Sequence, residues 1–144
     1  MKLLDSNTCH HDMLVNIACV VFTLEKFATI KDCTHFLRQH TLGVYALEFK
    51  GQMVGCIFLH LRDAGVWVRG LYVDPEYRMR GIGKWLLAIA CQKAYYYGYD
   101  FVCVAPPDTR TADFFIKSGL FWEQDDETLR GFSLYRAPSL VVKF

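Results

Sequence analysis

The chain of 144 residues has almost no charge imbalance: 16 lysines and arginines against 15 aspartates and glutamates leave a formal +1. Bulk attraction to nucleic acid is thereby disfavoured, because phosphate binding starts from a positive field. A long hydrophobic run is also missing. The most apolar window, LVNIACVVFTL at residues 14–24, is too short to span a bilayer and carries Asn16. At the N-terminus Asp5 interrupts MKLL before an apolar signal core can build up, so no signal peptide is read and a cytoplasmic protein is expected. No repeat, low-complexity tract or linker divides the sequence, which predicts one domain over residues 1–144. The six cysteines contain no Cys-x-x-Cys pair. Cys19, Cys56, Cys91 and Cys103 sit in apolar runs, where a free thiol behaves as a small hydrophobe, so no disulfide framework is expected. Cys9, His10 and His11, with Cys33 and His35 further on, lack paired-ligand spacing, and no metal is expected.

What is present is a soluble, core-forming composition, 53% hydrophobic and 22% charged. Residues 2–4 suit a short first strand. Asn7 or Thr8 can cap a helix over residues 11–26, apolar around most of its circumference. That breadth predicts burial on more than one side, against core and a second helix, or alternatively against an acceptor pocket or a homodimer partner. The second helix is expected over residues 31–40. The period then changes to two: GVYALEF, MVGCIFLHL and VWVRGLYV, joined by KGQ and RDAG, read as an antiparallel meander. A helix over residues 84–97 stops at Gly98, DFVCVAPP is a short buried strand, and a helix over residues 109–118 ends at Gly119. FWEQ and FSLYR, parted by polar DDETLRG, complete a final hairpin. The order predicts a mixed α/β fold around one central sheet.

Between the third meander strand and the next helix lies RMRGIGK, residues 78–84. The first N–H groups of a helix are unpaired and lie at the positive end of its dipole. Gly81 and Gly83 bare the backbone there, and Arg78, Arg80 and Lys84 add charge, so the segment is an anion site in outline. A plain helix start with a solvated basic rim has the same composition. Two familiar phosphate loops fail: Leu86 stands where Gly-x-Gly-x-x-Gly needs its third glycine, and Arg78 where Gly-x-x-x-x-Gly-Lys needs its first.

LYVDPEYRMRGIGKWLL resembles the acetyl-CoA loop of the GNAT superfamily of N-acetyltransferases, Arg/Gln-x-x-Gly-x-Gly/Ala directly after a strand. TADFFIKSGLFWE is similar, more weakly, to the family's following helix. The resemblance implies a mostly antiparallel sheet of six or seven strands, splayed between the fourth and fifth, with about four helices. It implies acetyl-CoA as co-substrate and an amine as acceptor. The diphosphate would rest on the backbone of Arg78, Met79, Arg80, Gly81, Ile82, Gly83 and Lys84, and the pantetheine arm along Leu71, Tyr72 and Val73.

The chemistry residues depart from the family pattern. The position that usually holds a glutamate base is Trp67; the tyrosine acid position is Phe115, and the asparagine position is Asp108. Asp108 can hydrogen-bond the cofactor or cap the helix that follows two prolines. His60 is a candidate base, or a surface residue at a strand end. Arg69 shares a face with Trp67 by the two-residue period, placing Tyr72 opposite; Arg69 can clamp an acidic acceptor or join a cross-strand ion pair. Tyr95, Tyr96, Tyr97 and Tyr99 read as packing with wet hydroxyls. Two functions stay open: an N-acetyltransferase of a small molecule or protein that works mainly by positioning, and a non-catalytic acyl-CoA binder on the same scaffold. Aminoacyl-tRNA is not excluded as acceptor, although the basic surface it calls for is lacking.

Overall fold

The computed structural model describes residues 2–6, 8–25, 29–39, 42–62, 65–122 and 127–132. Its first strand, β1 (Lys2–Asp5), pairs antiparallel with β2 (Gly43–Phe49), and two helices, α1 (His11–Glu25) and α2 (Ile30–Gln39), lie between them in sequence. Ser6 fixes the junction. Its N–H donates to the Val44 carbonyl at 2.9 Å and its hydroxyl accepts from the Val44 N–H at 2.8 Å, so this buried polar residue is satisfied.

The meander forms as its periodicity predicts: β2, β3 (Gln52–Arg62) and β4 (Gly65–Val73) are antiparallel neighbours. Lys50 and Gly51 both take positive φ, the mirror-image turn whose twist suits a two-residue hairpin. Tyr45, Leu47, Ile57 and Leu59 face one core, and Val44, Ala46, Cys56 and Phe58 face another. Both faces are therefore covered, and the strands read as nearly continuous apolar runs.

A 3₁₀ turn (Pro75–Tyr77) leads to α3 (Ile82–Tyr96), which crosses over to β5 (Phe101–Val104), parallel to β4. A parallel pair needs such a crossover, and the helix covers the sheet with Leu86, Ala90 and Ala94. Then follow α4 (Thr109–Lys117), β6 (Phe121–Trp122) and β7 (Leu129–Phe132). The seven strands among the described residues run in the order β1-β2-β3-β4-β5-β7-β6, antiparallel except at β4/β5. Gly98 and Gly119, at φ 87° and 106°, end α3 and α4. Behind them the N–H groups of Tyr99 and Leu120 return to the carbonyls of Ala94 and Phe115.

On the opposite face, α1 buries Leu14, Ile17 and Ala18 against the sheet and α2, whose Cys33 and Leu37 complete that core. Four expectations need correction. Cys19 is exposed, because its helical position points away from both sheet and α2. The third helix starts at Ile82, not Lys84, since the glycine loop supplies its cap and first turn. The last strand starts at Leu129, inside the stretch read as polar turn, because buried Leu129 and Gly131 pair with β5; residues 133–136 of FSLYR lie outside the described residues. Finally, the alternation along β4 breaks at Arg69. Phe58 pairs with Gly70 and the next residue, Leu59, with Val68, so Arg69 is the extra residue of a β-bulge. Tyr72 therefore shares a face with Arg69 rather than lying opposite it: it packs on the α1–α2 core, where the Arg69 guanidinium lies over Phe36 and Phe58.

Gly55 sets how closely α3 approaches the sheet. A Cβ there would lie 3.0 Å from the Tyr72 carbonyl oxygen, 3.1 Å from Ile82 and 3.2 Å from Leu86. Gly55→Ala is expected to destabilise the fold by about 1–3 kcal/mol through overpacking, measured as a lower urea midpoint at unchanged slope. A midpoint equal to the parent's would show that α3 has room to move.

Candidate active site

Strands β4 and β5 are paired only at Val66↔Val102 and Trp67↔Cys103. Beyond Trp67, β4 pairs with β3 alone, and its other edge faces a cleft of about 620 Å³. One wall is β4 itself, residues 68–73. A second is the start of α3, with Tyr77, Arg78, Met79, Gly81, Ile82, Gly83 and Lys84. The third comes from β5 and α4: Val104, Ala105, Pro107, Arg110, Thr111, Phe114 and Phe115. Among the described residues, four cations and no carboxylate line it.

The helix start is built by local chemistry. Asp74 accepts from the Glu76 N–H at 2.9 Å and starts the 3₁₀ turn, and its own N–H donates to the Val54 carbonyl. Arg78 Nε donates to the Val73 carbonyl at 2.9 Å, tying the loop to the strand end, while the Arg80 guanidinium rests over the Tyr77 ring. Met79 takes φ 63° and is fully exposed. Gly81 caps α3 at φ 83°, a conformation that costs a side-chain-bearing residue about 1–2 kcal/mol. The first helical bond runs from the Trp85 N–H to the Gly81 carbonyl, so the N–H groups of Ile82, Gly83 and Lys84 have no carbonyl within the helix. No acidic residue stands in this first turn, and Lys84 places a cation at its positive end. An anion resolves that arrangement. Gly83 serves a second purpose: a Cβ on it would meet the Phe114 ring at 3.3 Å, so its absence lets α4 pack against α3.

Of the residues singled out from the sequence, the cleft brings together Arg69, Leu71, Tyr72, Val73, Arg78, Met79, Gly81, Ile82, Gly83, Lys84 and Phe115. Arg80, Asp108, Trp67 and His60 are not among its lining residues. Trp67 and His60 are register partners at the closed end, where β4 still pairs with β5, and the Arg62 guanidinium covers the indole at 5.2 Å. Phe115 is 2% exposed and stands edge-on to Phe114 at 5.2 Å. Asp108 caps α4, accepting from the Thr111 N–H at 2.7 Å. Sequence reasoning missed Tyr77, Arg110, Thr111 and Phe114. The signal for Arg110 and Thr111 was the cap itself, since a helix starting where β5 ends turns its first residues toward the cleft.

Neither Cys56 nor Cys91 is poised to act as a nucleophile by its ionisation. Burial pushes Cys56 up to about 12 and Cys91 up to about 11, so both are protonated at neutral pH.

The acetyltransferase (GNAT) family profile matches residues 12–120, which spans the cleft and the helix that caps it. The chain belongs to the acetyltransferase (GNAT) family. It is an acyltransferase by that membership, and the family's co-substrate is acetyl-CoA. Solved structures of the same fold include an aminoglycoside 6'-N-acetyltransferase complexed with coenzyme A, at TM-score 0.72 and 11% identity over 94% of this chain and 99% of that one. Tetrahymena GCN5 superposes at 0.67 with 14% identity, covering 95% and 98%. The N-acetylglutamate synthase of Neisseria gonorrhoeae, solved with coenzyme A and N-acetyl-glutamate, superposes at 0.68 with 17% identity over 92% of this chain; the match spans 35% of the synthase. At these identities the likeness is one of fold. No curated protein matches the chain significantly in sequence.

The cap on α4 gives a pH signature. The Thr111 N–H, and then its side chain, hold the Asp108 carboxyl below its ordinary value. A carboxylate lowered on folding adds stability above the ordinary aspartate value of about 3.9, and loses it as pH falls through the folded value. Asp108→Asn keeps a capping oxygen but no charge, so the gap in melting temperature between parent and variant should be present at neutral pH and close in acid. A gap independent of pH would show that the charge contributes nothing.

Proposed function

We propose that the chain is an N-acetyltransferase that moves the acetyl group of acetyl-CoA to an amine of a small molecule or protein, by positioning rather than by a dedicated acid–base pair. The observation that carries this reading is the cleft: an open strand edge on one side and, at one end, a helix start with three free N–H groups and no acid. These features suit a diphosphate followed by an amide-bearing arm. Residues 81–84 would hold the diphosphate through N–H groups and the helix dipole. The open edge of β4 would take the arm as a neighbouring strand would be taken. When bound, acetyl-CoA supplies a thioester whose acyl carbon gains the acceptor nitrogen and loses sulfur, so that a neutral amine and acetyl-CoA become an amide and free thiol, the amine's proton balancing the sulfur.

The protein's share is orientation. Holding the two reactants together replaces a bimolecular encounter and can supply about 7–11 kcal/mol of the barrier. Phe115 and Trp67 offer no proton carrier, and neither Trp67 nor His60 lines the cleft. Proton loss then belongs to the acceptor and solvent. Six cysteines without a disulfide fit a reducing, cytoplasmic compartment.

Two measurements test this. Lys84→Glu puts an acid where the helix dipole favours one, adding about 0.3–1 kcal/mol of stability while opposing a bound diphosphate. Calorimetry should show coenzyme A bound about ten- to a hundredfold more weakly, with the melting temperature unchanged or raised. Equal affinity would remove the helix start from the site. For turnover limited by the chemical step, the rate should rise with pH up to the acceptor's own pKa, and shift with it when a less basic amine is used. His60→Ala should keep most of the activity. One fixed enzyme pKa across several acceptors, abolished in His60→Ala, would make His60 the base.

A further inference from the structure

The narrow end of the cleft lies where β4 and β5 part. Trp67↔Cys103 is the last pair between them, and the next residue on each strand is a valine, Val68 and Val104. Both line the cleft, at 6% and 5% exposure, and both belong to the core that α3 and α4 cover. Phe115 of α4 lines the cleft from the same core, at 2% exposure. These three side chains are poorly able to give way. A β-branched residue is stiff at χ1, and the Phe115 ring stands edge-on to Phe114 at 5.2 Å and 73°. A close-packed apolar wall of this kind feels even one added methylene.

From this geometry we infer that Val68, Val104 and Phe115 set the size of the acyl group, admitting acetyl and rejecting longer chains. The inference rests on the acetyl-transfer reading above and adds the acyl specificity of that same site. In that reading the diphosphate lies at the start of α3, and the arm follows the open edge of β4 from Val73 toward Val68. The thioester then arrives at the narrow end, and its acyl chain points at the three apolar side chains. Acetyl ends in a single methyl group. Butyryl carries two further methylenes, which have to displace a wall that is already packed. Where the wall is trimmed, the same methylenes leave water for apolar surface, and each strengthens binding about fourfold. The three residues are specificity determinants in this account and carry no proton.

The experiment is calorimetry with acetyl-, propionyl-, butyryl- and hexanoyl-CoA, which needs no acceptor. Each affinity is divided by that for coenzyme A, which has no acyl group. In the parent protein the ratio should fall about tenfold or more between acetyl and butyryl, and stay low for hexanoyl. Val104→Ala trims the wall on β5 and Phe115→Leu trims it on α4. Each should raise the butyryl ratio about tenfold relative to acetyl, the scale of two buried methylenes. Melting curves show which variants fold, and Val68→Ala opens the same end from β4 should one of them fail. Val102→Ala is the control. Val102 is as buried as Val104 and on the same strand, but it lies on the paired side and is not among the lining residues. Its variant should keep the parental order. The inference is overturned if the parent binds butyryl- and hexanoyl-CoA as tightly as acetyl-CoA, or if the folded cleft variants keep the parental order. It is equally overturned if Val102→Ala relaxes the order as fully as Val104→Ala. Failure of the parent to bind coenzyme A at all would instead sink the acetyl-transfer reading beneath it.

Discussion

Strands β4 and β5 share only two residue pairs, and the bulge at Arg69 falls just beyond the second. A bulge bends its strand and increases local twist, so β4 leaves the line that β5 would need to follow. Separation also frees one edge of β4 from backbone partners, and buried backbone groups do not stay unpaired without cause. Around that divergence the rest is arranged: α3 starts at the far end of the gap, α4 starts where β5 ends, and the two helices close the gap on one face. The bulge also reverses the faces of the residues beyond it, bringing Tyr72 to the side of α1 and α2, where alternation after Val68 already places Arg69.

That geometry explains why the unusual residues at the customary acid and base positions are tolerated by the fold. Phe115 is a core residue, packed against Phe114 beneath α4, and a hydroxyl there would have to find a partner in an apolar setting. Trp67 lies on the paired side of the divergence, next to His60 and under Arg62. Both positions contribute packing, and among the described residues the cleft offers backbone N–H groups, cations and the side chains of Tyr72, Tyr77 and Thr111. In the proposed reading, catalysis by such a site draws on orientation and on electrostatics aimed at charge, neither of which needs a titrating side chain.

The fold was legible where one physical signal dominated. Period-two runs with glycine turns placed β2, β3 and β4, and glycine after an apolar helix placed the ends of α3 and α4. The loop at residues 78–84 was legible as the entry to a helix, and Gly81 caps α3 there. Alternation failed at Arg69, since a bulge leaves no mark in a strand's composition and one extra residue inverts every face beyond it. Helix α1 was read as apolar around most of its circumference, with Cys19 in an apolar run, yet Cys19 is exposed; a small thiol on the outer stripe resembles core when only hydropathy is read. Leu129 and Gly131 were hidden in a polar stretch, although the contact with Leu120, 3.0 Å from a Cβ built at Gly131, shows why that strand must pass there.

The two glycines of the loop, alike in the motif, answer to different constraints. Gly81 is required by its backbone, at φ 83°, and its lack of a side chain leaves the cap groups facing outward. Gly83 has ordinary helical geometry; its constraint is the Phe114 ring, 3.3 Å from where its Cβ would stand. Phe114 belongs to the same short helix that brings Arg110 and Thr111 to the cleft. A side chain at 83 would therefore push the third wall outward as well as crowd the helix start, so the distance between the walls is set by the same atom-free volume that opens the backbone. The open helix start and the cleft width are coupled through one missing methyl group, and that coupling makes Gly83 part of the cleft's architecture.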